Sequence, residues 1–359
     1  MTAAAAGYAM PAEWAPHEAT WITWPHRRSD WPGKLPAVTW AVAEIARKLA
    51  PGERLRILVL SREVETAARR ALRKTGVPEE GVQLLRIPTD RGWNRDIGPV
   101  FVKGARRGDV QVVRFRFDGW AKYPDWRRDD RVPLRAARAV GCRVRRAVHR
   151  GREVVLEGGA IDVNGRGSLL TTEECLLDPE IQVRNPGFTR RDYEALFRRQ
   201  LGASNALWLG QGIAGDDTHG HVDDVCRFVD ERTVVLCRER DGRDANHRPL
   251  AENRERLESA RLEDGSRPEV VALPMPTPLY FDGQRLPASY ANFYVGNAAV
   301  LVPTFNDPAD RQALGILGEL FDRPVVGIHA VDLVLGLGTL HCLTQQQPAR
   351  GRSGVSYSA

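Results

Sequence analysis

Apolar and polar positions alternate in short blocks, and two periods recur along the chain. Short runs rich in Val, Ile and Leu predict strands at Leu55–Leu60, Val82–Ile87, Val110–Phe117, Val154–Val163 with Ser168–Thr172, and Ala206–Leu209. Further strands are predicted at Val222–Val229, Thr233–Cys237, Val270–Leu273, Ala291–Val295, Ala299–Pro303 and Val325–His329. Apolar spacing of three to four residues predicts helices over Ala37–Leu49, Glu63–Lys74, Thr189–Leu201, Asn253–Ala260 and Pro308–Leu320. The first keeps Val38, Val42, Ile45 and Leu49 on one face. In the last, Asp307 followed by Pro308 supplies a cap and a first-turn residue. There is no tandem repeat, although a strand-strand-helix-strand rhythm recurs. No long Gly/Ser or Pro-rich linker divides the chain, and the polar stretch 239–267 reads as an excursion. The pattern predicts one mixed α/β domain over residues 1–349 and a flexible tail over 350–359.

Composition narrows the class. With 359 residues and 42% hydrophobic positions the chain can bury a large core, and 27% charged residues is ordinary for a globular protein. No apolar run approaches the roughly 20 residues that span a bilayer, and the opening Met-Thr-Ala-Ala-Ala-Ala-Gly lacks the basic and apolar parts of a signal peptide. Five scattered cysteines (Cys142, Cys175, Cys226, Cys237, Cys342) make a poor disulfide framework, so a reducing cytoplasm is expected. The charge is 52 − 46 = +6, and only five of the 52 basic residues are lysine. The arginines are interleaved with acids, as in Arg127-Arg-Asp-Asp-Arg131, and the densest cluster, Arg143–Arg150, carries no interleaved aromatics. That reads as a solvated surface rather than a nucleic-acid site.

Four segments are too polar or glycine-rich for their apolar surroundings: Gly92–Pro99, Leu156–Gly159, Asp216–Asp224 and Gly336–Pro348. Each has a bland reading, with Asp96 pairing with Arg95, Glu157 on the surface, or Cys342 as a small core residue. In the third, His219, His221 and Asp223 alternate, so on a strand they share a face, as metal ligands or as a His–Asp pair beside a carboxylate-lined pocket. The fourth sets Cys342 after glycines and His341 and before three glutamines. A nucleophilic Cys, an acid/base His and accessory carboxylates form a covalent-catalysis set. Nearby acids oppose a thiolate, which becomes sensible if the substrate brings a permanent cation such as a guanidinium.

At these residues the sequence resembles the agmatine deiminase family, within the guanidine-modifying penteins. The resemblance runs from Met10-Pro-Ala-Glu-Trp-Ala-Pro-His-Glu-Ala-Thr-Trp21 to Thr344-Gln-Gln-Gln-Pro348. Between them stand Trp93–Pro99, Leu156-Glu-Gly-Gly159, Leu170-Thr-Thr-Glu-Glu-Cys-Leu176, Gly220-His-Val-Asp223 and Ser289-Tyr-Ala-Asn-Phe-Tyr294. It implies an α/β fold, a five-bladed pseudo-symmetric propeller of strand-strand-helix-strand units around a central site. Two departures stand out. The family approaches its nucleophile through Gly-Gly-Gly-Asn-Ile-His-Cys, whereas Leu337 and Thr339 here are expected to reshape the pocket, and His219 replaces a small polar residue.

The resemblance implies covalent hydrolysis of agmatine's guanidinium to a urea with release of ammonia. Cys342 is the implied nucleophile, His221 the acid and base, Asp96 and Asp223 the guanidinium clamp, and Glu157 the group orienting His221. Asp217 stands at a position that in the family faces the substrate's amine and would favour agmatine over arginine; the alternative is that Asp217 caps the turn and Asp216 makes that contact. Trp93, Trp120 and Tyr290 are candidate pocket walls because aromatic faces suit cations, with core packing as the other reading. No metal or organic cofactor is implied. The expected partner is a small cationic guanidine, with no nucleic acid or membrane, and a homo-oligomer is compatible with the sequence. Three other readings stay open: a deiminase of arginine or a substituted arginine, a metal-dependent hydrolase using His219, His221 and Asp223, and a lapsed binding protein.

Overall fold

The computed structural model describes residues 7–106 and 108–351. The described residues form a mixed α/β fold in which five sheets have three or four strands each. The first runs in the order Thr344–Pro348, His17–Thr23, Arg54–Val59, Val82–Arg86. The second comprises Val100–Lys103, Val110–Arg114 and Arg143–Arg146, and the third Asp162–Val163, Ser168–Thr172 and Asn205–Leu209. The fourth holds Cys226–Phe228, Thr233–Arg238 and Glu269–Pro274, and the fifth Tyr294–Val295, Val300–Thr304 and Val325–His329. Each sheet has an antiparallel pair, and a helix crosses from one of its strands to a parallel neighbour. Parallel neighbours require such crossovers, because a tight turn cannot reverse the chain twice.

The crossover helices are Leu35–Leu49, Arg62–Lys74, Val132–Ala139, Arg190–Leu201, His247–Ser259 and Pro308–Leu320. In the first, Val38, Val42, Ile45 and Leu49 are all buried, as their spacing predicts. Asp307 caps the last, accepting from Ala309 N, and exchanges side-chain-to-backbone bonds with Asp310. Thr189 and Asp192 form a similar box at the start of Arg190–Leu201, which ends on Gly202 at φ 72°. The largest apolar cluster joins Trp21, Ile57, Val235, Tyr294, Val302 and Leu343 across several sheets.

Several expectations are corrected. Only Asp162–Val163 of the predicted run Val154–Val163 is a strand, and Gly158–Ala160 forms a 3-10 turn. Only Cys226–Phe228 of Val222–Val229 is a strand, because Val222–Asp224 is also a 3-10 turn. Ala291–Val295 shrinks to Tyr294–Val295. The strands His17–Thr23, Val100–Lys103, Arg143–Arg146 and Thr344–Pro348, and the helix Val132–Ala139, escaped the sequence reading. Of the expected tail, Arg350 is tethered, donating from Nη2 to Val140 O at 2.7 Å, and residues 352–359 lie outside the described ones.

Candidate active site

The turns that displaced the predicted strands converge, bringing the chemistry together. Asp96 lies on the one-turn helix Asn94–Ile97, all four residues of which are buried. Its Oδ2 accepts from Trp120 Nε1 at 2.9 Å and its Oδ1 from Gly159 N at 3.1 Å. Gly159 is required there, since a Cβ would sit 2.5 Å from His221 Nδ1 and 3.0 Å from Asp96 Oδ1. His221 is wedged between two carboxylates, with Nδ1 3.8 Å from Asp96 Oδ1 and Nε2 3.9 Å from Glu157 Oε2. Glu157 pairs through Oε1 with Arg184 Nε at 3.1 Å, both side chains fully buried, while its Oε2 has no hydrogen-bond partner.

Cys342 sits on the short helix Leu340–Leu343. Asn292 Nδ2 donates to its Sγ at 3.1 Å, and Asp223 Oδ2 lies 3.8 Å from the same sulfur. Asp223 is fully buried; its Oδ2 is 2.6 Å from His341 Nδ1 and its Oδ1 has no partner. Above this floor opens a cavity of about 720 Å³ lined by Cys342, Asp96, Trp93, Trp120, Asp217 and Leu337 among others.

Burial, and then the charges of Asp223, Asp224 and Asp96, push the Cys342 thiol well above its ordinary range. Burial also lifts Asp96 to about 6, with Asp223 and Glu157 adding to the shift. Burial works against a charged His221, but Asp96 and Glu157 hold it well above the ordinary imidazole value. For Glu157 burial is outweighed by Arg184 and His221, and its carboxyl falls to about 2. The floor thus carries fixed negative charge with a protonated thiol beside it, a setting that an incoming cation would change.

The sequence-based site residues divide. Cys342, Asp96, Trp93, Trp120 and Asp217 line the cavity; His221, Glu157 and Asp223 lie behind that lining. Tyr290 is not a wall: it is fully buried against Phe305, and its hydroxyl donates to Asp310 Oδ1 at 2.7 Å. His219, His221 and Asp223 do not share a face, because the chain there is a turn with His219 at φ 62°. His219 Nε2 faces Asp178 Oδ2 at 2.9 Å while Asp223 faces His341, so these three do not converge on one metal. Two other sets, Glu157–Cys175–His221 and Asp223–Asp224–Cys342, do bring ligand atoms within 4.8 Å of one another.

Asp216, not Asp217, caps the turn, its Oδ2 accepting from Gly220 N at 2.8 Å and His221 N at 3.0 Å. Asp217 instead accepts from Tyr123 OH at 2.6 Å and Lys122 Nζ at 2.5 Å. Leu337 lines the cavity at φ 70°, whereas Thr339 is buried and donates from Oγ1 to Asn292 Oδ1 at 2.7 Å, so it does not narrow the opening. The sequence reading assigned no role to Asn292, Glu13, Arg184 or Cys175. Asn292, Glu13 and Cys175 lie within stretches matched to the resembled family, but their contacts join distant parts of the chain.

The sequence pattern of the Porphyromonas-type peptidyl-arginine deiminases matches residues 9–348. An agmatine deiminase of Ectopseudomonas mendocina (strain ymp) is 35% identical over 372 residues, covering 97% of each chain. The solved agmatine deiminase of Enterococcus faecalis superposes with a TM-score of 0.88 at 30% identity, over 97% of this chain and 98% of that one. A Cys-to-Ser variant of C. jejuni agmatine deiminase with substrate bound gives 0.83 at 25% identity, over 95% and 96%.

Proposed function

The chain belongs to the Porphyromonas-type peptidyl-arginine deiminase family, and from that premise we propose that it hydrolyses agmatine to N-carbamoylputrescine and ammonia. The observation that carries this reading is the floor of the cavity, where a thiol lies among the buried carboxylate oxygens of Asp96 and Asp223, the second of which keeps one oxygen without a partner. A permanently cationic, planar guanidinium satisfies such oxygens and removes the charge that opposes a thiolate.

In this mechanism Asp96 and Asp223 hold guanidinium nitrogens and present the carbon to Cys342. The guanidinium's charge lowers the thiol's pKa, the thiol gives its proton to solvent, and the Sγ thiolate attacks the carbon. His221, kept protonated between Asp96 and Glu157, gives a proton to the departing nitrogen, and ammonia leaves a thiouronium on Cys342. The now neutral His221 takes a proton from water, whose oxygen attacks the same carbon. Collapse expels the Cys342 thiolate, the added hydroxyl gives its proton to solvent, and the neutral urea is freed. Glu157, tied to Arg184, orients His221. Trp93 and Trp120 supply the walls, and Asp217 takes the far ammonium, tempered by its bond to Lys122.

We also read residues 1–349 as one catalytic domain and the five sheets as blades of a pseudo-symmetric propeller around this floor. Among the described residues no helix is long and apolar enough to cross a membrane, and five free cysteines fit the expected cytoplasm. The test is ammonia release from agmatine and arginine, with mass spectrometry of acid-quenched enzyme. Agmatine turnover above arginine with an amidino adduct on Cys342 supports the reading, and equal turnover of the two or an adduct on another cysteine sinks it.

A further inference from the structure

Beneath the nucleophile lies a buried ring that the mechanism above does not use. His341 precedes Cys342 and is 1% exposed. Its Nδ1 is 2.6 Å from Asp223 Oδ2 and its Nε2 is 2.9 Å from Glu13 Oε2. Each ring nitrogen thus faces a carboxylate oxygen, which can accept a hydrogen bond from it. Glu13 is held in turn: Arg95 Nη2 donates to its Oε2 at 2.9 Å, Arg227 Nη2 lies 3.0 Å from its Oε1, and Val295 N donates to Oε1 at 2.8 Å. The backbone of His341 is fixed as well, with its N–H donating to Asn292 and its carbonyl accepting from Arg95 Nε at 3.3 Å.

We propose that His341 is a positioning residue, which, braced by Glu13, ties down Asp223 through Oδ2, the oxygen that faces Cys342 Sγ, and so fixes the carboxylate against the substrate's guanidinium. This rests on the guanidine-hydrolase reading. Asp223 Oδ1 is buried and lacks a partner, so without the tether the carboxylate would be free to rotate its charge away. A misplacement of about 1 Å costs about 10²-fold in rate. The groups facing Asp223 are His341, His221 and Arg227, which favour its charge, and Asp224, Asp96 and Cys342, whose charged forms oppose it. His341 makes the closest of these contacts at 2.6 Å, and the Cys342 thiol donates to the same oxygen at 3.8 Å.

Two isosteric replacements separate positioning from simple packing. In His341→Asn the amide nitrogen stands near the place of Nδ1 and keeps the donor to Asp223. In His341→Gln it stands near Nε2 and keeps only the bond to Glu13. The proposal expects His341→Gln and His341→Ala to lose about 10²-fold in kcat/KM for agmatine, with the acid limb of the profile moved to higher pH. His341→Asn should stay at least tenfold above both, with a limb near that of the wild type. A substrate-free readout runs in parallel: the pH profile for alkylation of Cys342 by iodoacetamide, followed on its peptide by mass spectrometry. That profile should shift in His341→Gln and His341→Ala and overlay the wild type in His341→Asn. Equal losses in all three variants, with melting temperatures lowered alike, would make His341 structural and overturn the proposal. Absence of turnover in the wild type would sink the guanidine reading alone, because the alkylation profiles would still judge His341.

Discussion

The floor and the mouth of the cavity both gather carboxylates, yet they treat them oppositely. At the floor, Asp223 and Glu157 each have one oxygen tethered, to His341 and Arg184, and one left without a partner. At the mouth Asp30, Asp125 and Asp217 are each paired with a cation of the protein itself, although Asp30 Oδ2 has no hydrogen-bond partner. Arg27 pairs with Asp30 at 3.2 Å and with Asp125, Arg91 pairs with Asp125 at 3.1 Å, and Lys122 pairs with Asp217 at 2.5 Å. Acidic composition alone therefore does not locate a cation site. What matters is whether a cation from the protein itself has already taken the lone pairs. The floor keeps an unsatisfied demand for positive charge among buried side chains, where Coulomb attraction is strong. The mouth, partly exposed and internally neutralised, selects more weakly.

Five measurements would break or sharpen that contrast. Cys342→Ala should lower ammonia release by at least about 10⁴-fold with an unchanged melting temperature; activity near wild type would remove Cys342 as the nucleophile. Next is stability. Arg184→Met leaves Glu157 charged and unpaired in the interior, so urea unfolding should show a loss of about 3–5 kcal/mol. Arg248→Ala, which breaks an exposed pair with Glu252, should stay within about 0.5 kcal/mol. Third, Asp96→Asn should cut kcat/KM by about 10²–10³-fold, whereas Asp125→Asn at the mouth should change it by less than about threefold. Comparable losses in those two variants would erase the distinction between floor and mouth.

The fourth is a pH profile. Burial raises Asp96 to about 6, and only its ionised form holds a guanidinium. Activity on free substrate is therefore present above that value and lost as pH falls through it, giving kcat/KM an acid limb near 6. Bound guanidinium keeps Asp96 ionised, so the limb of kcat should lie lower. Asp30 at the mouth is also lifted to about 6 by burial, which makes Asp30→Asn the control: its limb should stay in place. The smallest effect concerns selectivity. Lys122→Ala frees the charge of Asp217 and should raise the preference for agmatine over arginine about threefold, while Asp217→Asn should erode it. A preference unmoved by either change would remove Asp217 as the selector.

The parts legible in the sequence were those decided locally. The buried face of Leu35–Leu49 follows from 3.6-residue periodicity, and the start of Pro308–Leu320 follows from the chemistry of Asp307 and Pro308. Cys342, Asp96 and Asp217 fall in segments too polar or glycine-rich for their apolar surroundings, the resemblance to the agmatine deiminases implied their roles, and all three line the cavity. What failed was decided at a distance. The run Val222–Val229 reads as a strand, but Asp216 takes the backbone N–H groups of Gly220 and His221, and the chain turns there before it can pair. Tyr290 belongs to the same matched stretch as Asn292, yet only Asn292 reaches the sulfur, and nothing local distinguishes them. Glu13 meets His341 across 328 positions, a separation over which periodicity says nothing.

The pairing of His17–Thr23 with Thr344–Pro348 has a consequence for how the protein is born. On the ribosome, the strand nearest the start emerges first and waits with one edge bare while nearly the whole chain is made. The nucleophile and the strand that covers this edge leave the exit tunnel together, among the last of the described residues. A stalled or truncated nascent chain therefore has no partial activity to release into the cell. It carries an open strand edge, the feature that leaves an unfinished chain prone to pair with its neighbours.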